Sequence, residues 1–580
     1  MKSINFKLLA LLLLTATIFS GCAINRMVKN YDEQVNYTPA TNPLENHGGK
    51  VAANVKGTIS EKYFARKAIM EVTPVLIHEN GETELPTVTL RGTKTTSPGT
   101  MVDRNTASSF DLNNIIDFKP EMLASELVLR TKIYKEGRED RARILPEEKI
   151  ADGTINTASR IDKGEFSVAY LADQYEKETI VSEKASIFFD YMRHNLNNRL
   201  ALNRDADNQA KINALSDFIK RGWQFKSIEV NAWASPEGEV AYNEELAGKR
   251  AQTGDKYLAD LFTKIEKELG TTIDRGAFAV NAKGEDFDGF MAALNASNLP
   301  DKQAIANVIN AQVAPAERER RIKDMTLIYN EIEKLLAPLR RAEFVVSLFE
   351  PKKTDAEMAM LATSNPSELT IEELLYAATL TDDLNTKLAI YKAGQRLFPN
   401  EVRFFNNAGA VLLEMGDYNA AATDLEKANQ LTPGNVYIQN NLGVVAAYKE
   451  DYDNALRLFN AANSPDVNTS ANLGSINIIQ GDYQAATTSL ATNTCTYNLA
   501  MAQLIAGNQQ AALNTLNCTP ESPQVLYLKA IIGARRNDTN LFYDNLRKAI
   551  AAEPGYKDVA KKDREFIRFF NQAEFQEIVN

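Results

Sequence analysis

The chain has 580 residues, of which 44% are apolar and 24% charged, with a formal net charge of −11. That length exceeds what one hydrophobic core serves, so several domains are expected, and the composition is that of a folded chain rather than a disordered one. An acidic balance gives no general electrostatic help toward nucleic acid, which is excluded as an expected partner.

At the N-terminus, Lys2 and Lys7 flank the start of the apolar run "LLALLLLTATIF", too short to span a bilayer and suited to a signal peptide over 1–21. The run ends in Phe19-Ser20-Gly21-Cys22, which resembles a bacterial lipobox. That resemblance implies cleavage before Cys22 and a lipid anchor in which its thiol carries a diacylglycerol, with palmitate among the acyl chains. Two or more acyl chains anchor a protein stably where one does not. Residues 23–26 hold no Asp beside Cys22, which by likeness to envelope sorting signals favours an outer-membrane anchor facing the periplasm. The polar stretch 22–47, with "NYTPATNPLENHGG" near its end, reads as a flexible tether.

Over 48–170 the apolar period is two. "AIMEVTPVLIHENGETELPTVTLRG" places Asn80-Gly81 between two strand-like runs, a hairpin cue because both turn positions tolerate positive φ. Further strand-like runs, "ELVLRTKIYKEG" and "GTINTASRI", follow without a long helical stripe, and a small β-sandwich is expected.

Residues 183–351 turn to mixed α/β. "NQAKINALSDFIKRG" has helical spacing, "FKSIEVNAW" is a buried strand, a helix starts near Tyr242, and a helical insertion occupies about 286–337. The blocks "IFFDY", "AWASPEGEVAYNEELAGKRA", "KGED" and "LRRAEFVV" occur in that order. Together they resemble the OmpA-like peptidoglycan-associating domain, whose hallmark runs Asn-x-x-Leu-Ser-x-x-Arg-Ala; at the same spacing this chain has Asn243, Leu246, Ala247, Arg250 and Ala251, with Ala247 in place of the Ser. The resemblance implies a sheet with helices on one face and a site for the diaminopimelate of the peptidoglycan stem. Arg250 would take the ligand carboxylate bidentately. Ser235 stands where the family has the aspartate that holds the ligand amine, and it carries no charge. Glu237 restores a carboxylate if the loop turns it inward. Two readings stay open: wall binding through Arg250, or a domain that keeps the fold alone, with Arg250 pairing on the helix surface with Glu244 or Glu245 and Asn243 capping the helix.

From 365 to 580 the chain is helical and self-similar. Gly409 matches Gly443, Asp417-Tyr418 matches Asp451-Tyr452 and Ala421 matches Ala455, each pair 34 residues apart, and Gly474, Asp482-Tyr483 and Ala486 repeat the set. Period and residue classes are those of tetratricopeptide-like repeats, stacked into a superhelix and closed by a capping helix. Cys495 and Cys518 flank the fourth unit and are expected to form a disulfide, two separate core thiols being the other reading.

The fold class expected is therefore multidomain: an N-terminal β-sandwich, a central α/β OmpA-like domain and a C-terminal all-α tetratricopeptide-like superhelix. The combination resembles Bacteroidetes-type outer-membrane lipoproteins, which implies a non-enzymatic tether or scaffold. Its expected partners are a lipid anchor, peptidoglycan and an unidentified envelope protein at the repeat groove. An assembly or anchoring factor for surface fimbriae or a secretion machine is the alternative. An enzyme acting on wall or glycan, with Glu237 and Asp190 as acid and base, ranks below both. No local pattern for metal or cofactor binding occurs, and neither is expected.

Overall fold

In the computed structural model, residues 23–237, 239–300, 302–309, 317, 320–321 and 329–580 are described. The signal peptide, Cys22 and most of the link between the inserted helices lie outside them. The chain divides into two units: 1–173 joined with 381–580, and 174–380. These limits differ from the expected ones, because the β region and the repeats form one unit and residues 365–380 belong with the α/β domain.

The expected tether is instead part of the first unit's core. A helical turn covers 23–29, and Ile24, Met27, Tyr31, Val35 and Leu44 are all buried. The Tyr31 hydroxyl is hydrogen-bonded to Thr131 Oγ1 and to the Tyr37 hydroxyl, both at 2.9 Å. Spaced apolar residues inside a polar stretch are enough to dock it, and mean polarity hides them.

The β region holds three sheets rather than the two of a sandwich. One pairs Val35–Pro39 and Ser108–Leu112 on either side of Val55–Ile59, and a second joins Asn46–His47, Lys50–Ala52 and Ile115–Asp117. The third has seven strands built on the long antiparallel pair Ala68–His78 and Ser125–Lys135. Side chains from all three, among them Val51, Val55, Met70, Leu112 and Leu129, share one core. The hairpin turn falls on Glu79-Asn80, since His78 pairs with Gly81, whose φ is +136°. Its return strand is split at Leu85–Thr87 and resumes at Val88–Gly92. Pro86, which cannot donate to the ladder, sits in the gap. "GTINTASRI" is not a strand past Gly153, and residues 162–173 leave the β region altogether.

In the second unit, β1 (Ile180–Phe188), β2 (Phe225–Ala234), β3 (Ala277–Glu285) and β4 (Arg341–Phe349) form a sheet of order β1-β4-β2-β3. β2 and β3 run parallel, joined by α2 (Val240–Leu269), and β4 is antiparallel to both its neighbours. Leu215 and Phe218 of α1 (Ala206–Ile219) and Leu258 and Phe262 of α2 bury onto Ile228, Val230, Phe344 and Val346. Gly254 lets α2 approach the sheet: a Cβ there would stand 2.8 Å from Ala342 Cβ and 2.9 Å from Val230 Cγ1. Between β3 and β4, the helices Phe287–Ala296, Lys302–Ile309 and Tyr329–Leu336 surround a small core of their own, including Phe290, Ile305 and Ile332.

The repeats are helical hairpins: α3 (Val402–Glu414) with α4 (Tyr418–Leu431), α5 (Val436–Tyr448) with α6 (Tyr452–Ala462), α7 (Ser470–Gln480) with α8 (Tyr483–Leu490), α9 (Tyr497–Ile505) with α10 (Gln509–Cys518), and α11 (Pro523–Arg536) with α12 (Thr539–Ala552). The recurring Asp-Tyr pair is a helix start, because Asp417, Asp451 and Asp482 each accept a bond from a backbone N–H three residues on. The recurring Gly is a close crossing of the two helices. A Cβ on Gly409, Gly443 or Gly474 would meet Leu425, Phe459 or Leu490 within 2.3–2.6 Å. At Gly533 the obstacle is backbone, Phe542 N at 2.5 Å, which cannot rotate away. Gly533→Ala is therefore expected to destabilise by about 2 kcal/mol net of its helix-propensity gain, and Gly409→Ala by less, in urea unfolding followed by far-UV circular dichroism. Cys495 and Cys518 are joined by a disulfide with Cα atoms 5.1 Å apart, closing the α9–α10 hairpin. In place of a single capping helix, Tyr556–Lys562, a 3-10 turn over Arg564–Phe569 and Ala573–Val579 close the array, with Phe566, Phe569 and Phe575 packed around Phe542.

Candidate functional site

In the second unit, four segments converge at the C-terminal ends of β1 and β2, around a cavity of about 270 Å³. The loop after β1 supplies Tyr191 and Met192, the loop after β2 supplies Ser235 and Glu237, and α2 supplies Asn243 and Arg250. The start of β4 brings Arg340 against the second loop.

Arg250 is 1% exposed and is not the surface residue of the fold-only reading. Glu245 pairs with Lys249 instead, at 2.6 Å. Among the described residues the Arg250 guanidinium donates only to backbone carbonyls: Nε to Arg193 at 2.9 Å, Nη1 to Trp233 at 3.0 Å and Nη2 to Asp190 at 3.2 Å. Its plane is fixed, two of its five N–H groups remain, and among the described residues no carboxylate is ion-paired with it. Burial, reinforced by the nearby Arg340 charge, pushes its pKa down to about 10. A buried cation held by carbonyl dipoles and by the face of the Phe189 ring, 5.3 Å from its Cζ, gains from an arriving anion.

Glu237 is turned inward and is 7% exposed. Its Oε1 accepts from Ser235 Oγ at 2.8 Å and from Arg340 Nη2 at 2.5 Å, and Ser235 Oγ in turn accepts from Arg340 Nε at 3.1 Å. Its Oε2 is buried and, among the described residues, has no hydrogen-bond partner. Burial lifts the Glu237 carboxyl above the ordinary range, and Arg340 and Ser235 offset this only in part. For Arg340, burial opposes the charge, but Glu333 and Glu237 outweigh it and hold the pKa above its usual value. Glu333 comes from the inserted helices and takes Arg340 in a two-pronged pair at 2.7 and 2.8 Å.

Asn243 does not cap its helix. Its Nδ2 donates to the Ser235 and Glu237 carbonyls and to Glu285 Oε1, at 3.3, 3.1 and 2.8 Å, which pins the loop that presents Glu237. The carboxylate of Asp190 accepts from Asn197 Nδ2 at 2.9 Å, whereas that of Glu237 belongs to the Arg340 cluster. An acid–base partnership of the two is not what these partners prepare. Arg340 and Glu333 escape a reading of the loop alone, because they arrive from more than ninety residues away.

The first unit corrects the expected role of the repeat groove. The chain's own residues 162–173 lie along the first helices of successive hairpins, each gripped by an asparagine. Asn407 Oδ1 accepts from Leu171 N at 2.8 Å while its Nδ2 donates to Leu171 O at 2.9 Å. Asn441 does the same for Ala169 at 2.8 and 2.7 Å, Asn472 for Ser167 at 2.7 and 2.9 Å, and Asn498 for Asp162 at 2.8 and 2.9 Å. A carboxamide offers one acceptor and two donors, and so imitates a neighbouring strand toward an extended residue. Residues 167, 169 and 171 present N–H and C=O to one side because side-chain and backbone directions alternate with period two. Phe166 anchors the strap against Tyr448 and Phe459, and Glu165 accepts from the backbone N–H groups of Tyr497 and Asn498 at 2.6 and 2.9 Å. The groove face expected to receive an envelope protein is thus filled from within. The signal was in the repeats themselves, as Asn406-Asn407 and Asn440-Asn441 recur 34 residues apart.

Among the described residues no cluster of His, Cys, Asp and Glu is placed to hold a metal ion, and no helix is long and apolar enough to cross a membrane. No family model matches the chain, and no curated protein matches it. Among solved structures it is similar to PilW, described as a widely conserved type IV pilus biogenesis factor, at 14% identity over 39% of this chain and 99% of that one, with a TM-score of 0.28. A tetratricopeptide repeat protein from Parabacteroides merdae is similar at 11% identity over 45% and 96%, TM-score 0.28. Yeast Tom70 is similar at 12% identity over 58% and 84%, TM-score 0.25. Likenesses at this level carry no functional argument.

Proposed function

We propose that this chain is a non-enzymatic envelope tether whose α/β unit holds the wall by an amino-acid end bearing both ammonium and carboxylate. The observation that carries this reading is one cavity with two demands unmet among the described residues: a buried guanidinium without a carboxylate and a buried carboxylate oxygen without a donor. A ligand carboxylate on Arg250 and an ammonium on Glu237 Oε2 would meet both. The resemblance of this stretch to OmpA-like domains supports diaminopimelate as that ligand, with Glu237 replacing the family's aspartate at the neutral Ser235. The lipobox resemblance at Cys22 supplies the other attachment, to the outer membrane from its periplasmic side. Lipid at one point and wall at another tether without catalysis, and linking them raises the effective concentration of a weak wall contact.

Titration with muropeptides separates the two halves of the site. A stem peptide ending in diaminopimelate is expected to bind, and its amidated or lysine-containing counterpart, lacking the side-chain carboxylate, at least about tenfold more weakly. Equal binding of all three would remove Arg250 from the reading.

A further inference from the structure

Ala23, next in sequence to Cys22, lines a second cavity, of about 230 Å³, on the β region. Six basic residues line it: Arg26, Arg66, Lys67, Lys94, Arg104 and Lys135. The rest of its wall is Ala23, Ile24, Tyr63 and Ala65, and no acidic residue contributes. In a chain of net charge −11, such a gathering is not what composition alone produces.

The six come from five separate segments, brought together by backbone bonds between loops. Lys94 N donates to Arg66 O at 2.7 Å, Glu136 N to Lys67 O at 3.1 Å, and Ala65 N reaches Met27 Sδ at 3.3 Å. Arg26, Arg66, Lys67 and Lys94 are exposed, and among the described residues none of the six is in an ion pair. The acidic neighbour of Lys135, Glu136, is held by the backbone N–H groups of Thr96 and Ser97, at 2.7 and 2.8 Å, and among the described residues is in no ion pair with the six. Mutual repulsion of unpaired cations is tolerated where an anionic surface covers them.

We infer that this face docks on anionic phospholipid headgroups. Guanidinium groups match phosphate oxygens in a two-pronged geometry, and the apolar floor of Ile24 and Tyr63 suits the glycerol and upper chain beneath a headgroup. The place of the cavity argues for a membrane rather than another polyanion, since Ala23 directly follows Cys22. That step rests on the anchored reading of Cys22, while the surface itself does not. A basic patch added to acyl chains is the second signal that makes anchoring stable, and it fixes which face of the unit meets the bilayer.

The test uses unacylated residues 23–580, which contain every described element of both units, with phosphatidylcholine vesicles prepared with and without phosphatidylglycerol. Co-sedimentation with the phosphatidylglycerol vesicles alone, reversed by high salt, is expected. Each cation near such a surface contributes about fivefold, so Arg66→Glu, Lys67→Glu and Lys94→Glu combined are expected to weaken binding by about a hundredfold or more. All three are surface positions, and circular dichroism confirms that the variant is folded. The salt series on the unaltered protein tests the same attraction without any substitution. Equal binding to both vesicle types, no binding to either, or a variant that binds as before would overturn the inference, as would capture by duplex DNA with no response to phosphatidylglycerol. Acylation of Cys22, read by mass spectrometry of the native lipoprotein, stands or falls separately.

Discussion

Replacing Asn441 and Asn472 together by alanine is expected to release residues 162–173 from the repeats and to cost the first unit several kcal/mol. Each asparagine is the acceptor for one strap N–H in a buried setting, while the C=O it also serves keeps a second donor, Asn406 for Ala169 and Asn440 for Ser167. Leaving such an N–H without a partner costs about 1–3 kcal/mol per site, with water entry relieving part of it. Hydrogen exchange resolves the effect from a general loss of stability. The amides of Ser167 and Ala169 should exchange at least about tenfold faster, while those inside α11 and α12 change only with the global unfolding equilibrium. Proteolysis within 162–173 should appear in the variant first. Unchanged protection of both amides would mean that Phe166 and Glu165 hold the strap without the ladder.

The second large effect is expected at Arg340. Arg340→Met leaves Glu237 buried without its cation, a change of the kind that costs about 3–5 kcal/mol. The loss should depend on pH in a definite sense. Burial already raises the Glu237 pKa in the folded protein, and removing Arg340 raises it further. A carboxyl that binds its proton more tightly when folded destabilises above the folded pKa, and stability is regained as pH falls through that value toward the unfolded one near 4.3. The penalty of Arg340→Met should therefore be smaller at pH 5 than at pH 7. Both tryptophans, Trp223 and Trp233, lie in the α/β unit, so urea unfolding followed by their fluorescence reports on that unit alone. A penalty that is the same at both pH values would place the cost in lost packing of the long side chain rather than in the uncompensated carboxylate.

Legibility in the sequence followed the distance over which each feature is built. The repeats were readable because Gly, Ala and Asp-Tyr act within one hairpin, at helix crossings and helix starts. The order of strands and helices around Arg250 was readable for a similar reason, since the stretch 231–251 carries strand, loop and helix start together. The strap was not, because its partners lie 236 to 336 residues away and its own composition is that of an ordinary linker. Residues 23–47 misled in the same way: Ile24, Met27 and Tyr31 are buried by contacts that a polar average does not show. The orientation of Glu237 was undetermined from the loop alone and is set by Arg340, 103 residues further on.

With the repeat groove filled by its own chain, the wall contact proposed for the α/β unit becomes the part of the account most open to direct trial. The purified chain sedimented with peptidoglycan sacculi, unaltered beside Arg250→Met, tests it. The unaltered protein is expected to pellet, and Arg250→Met, checked as folded by tryptophan fluorescence, to stay in solution. Failure of the unaltered protein to pellet, or pelleting that Arg250→Met leaves intact, would contradict it.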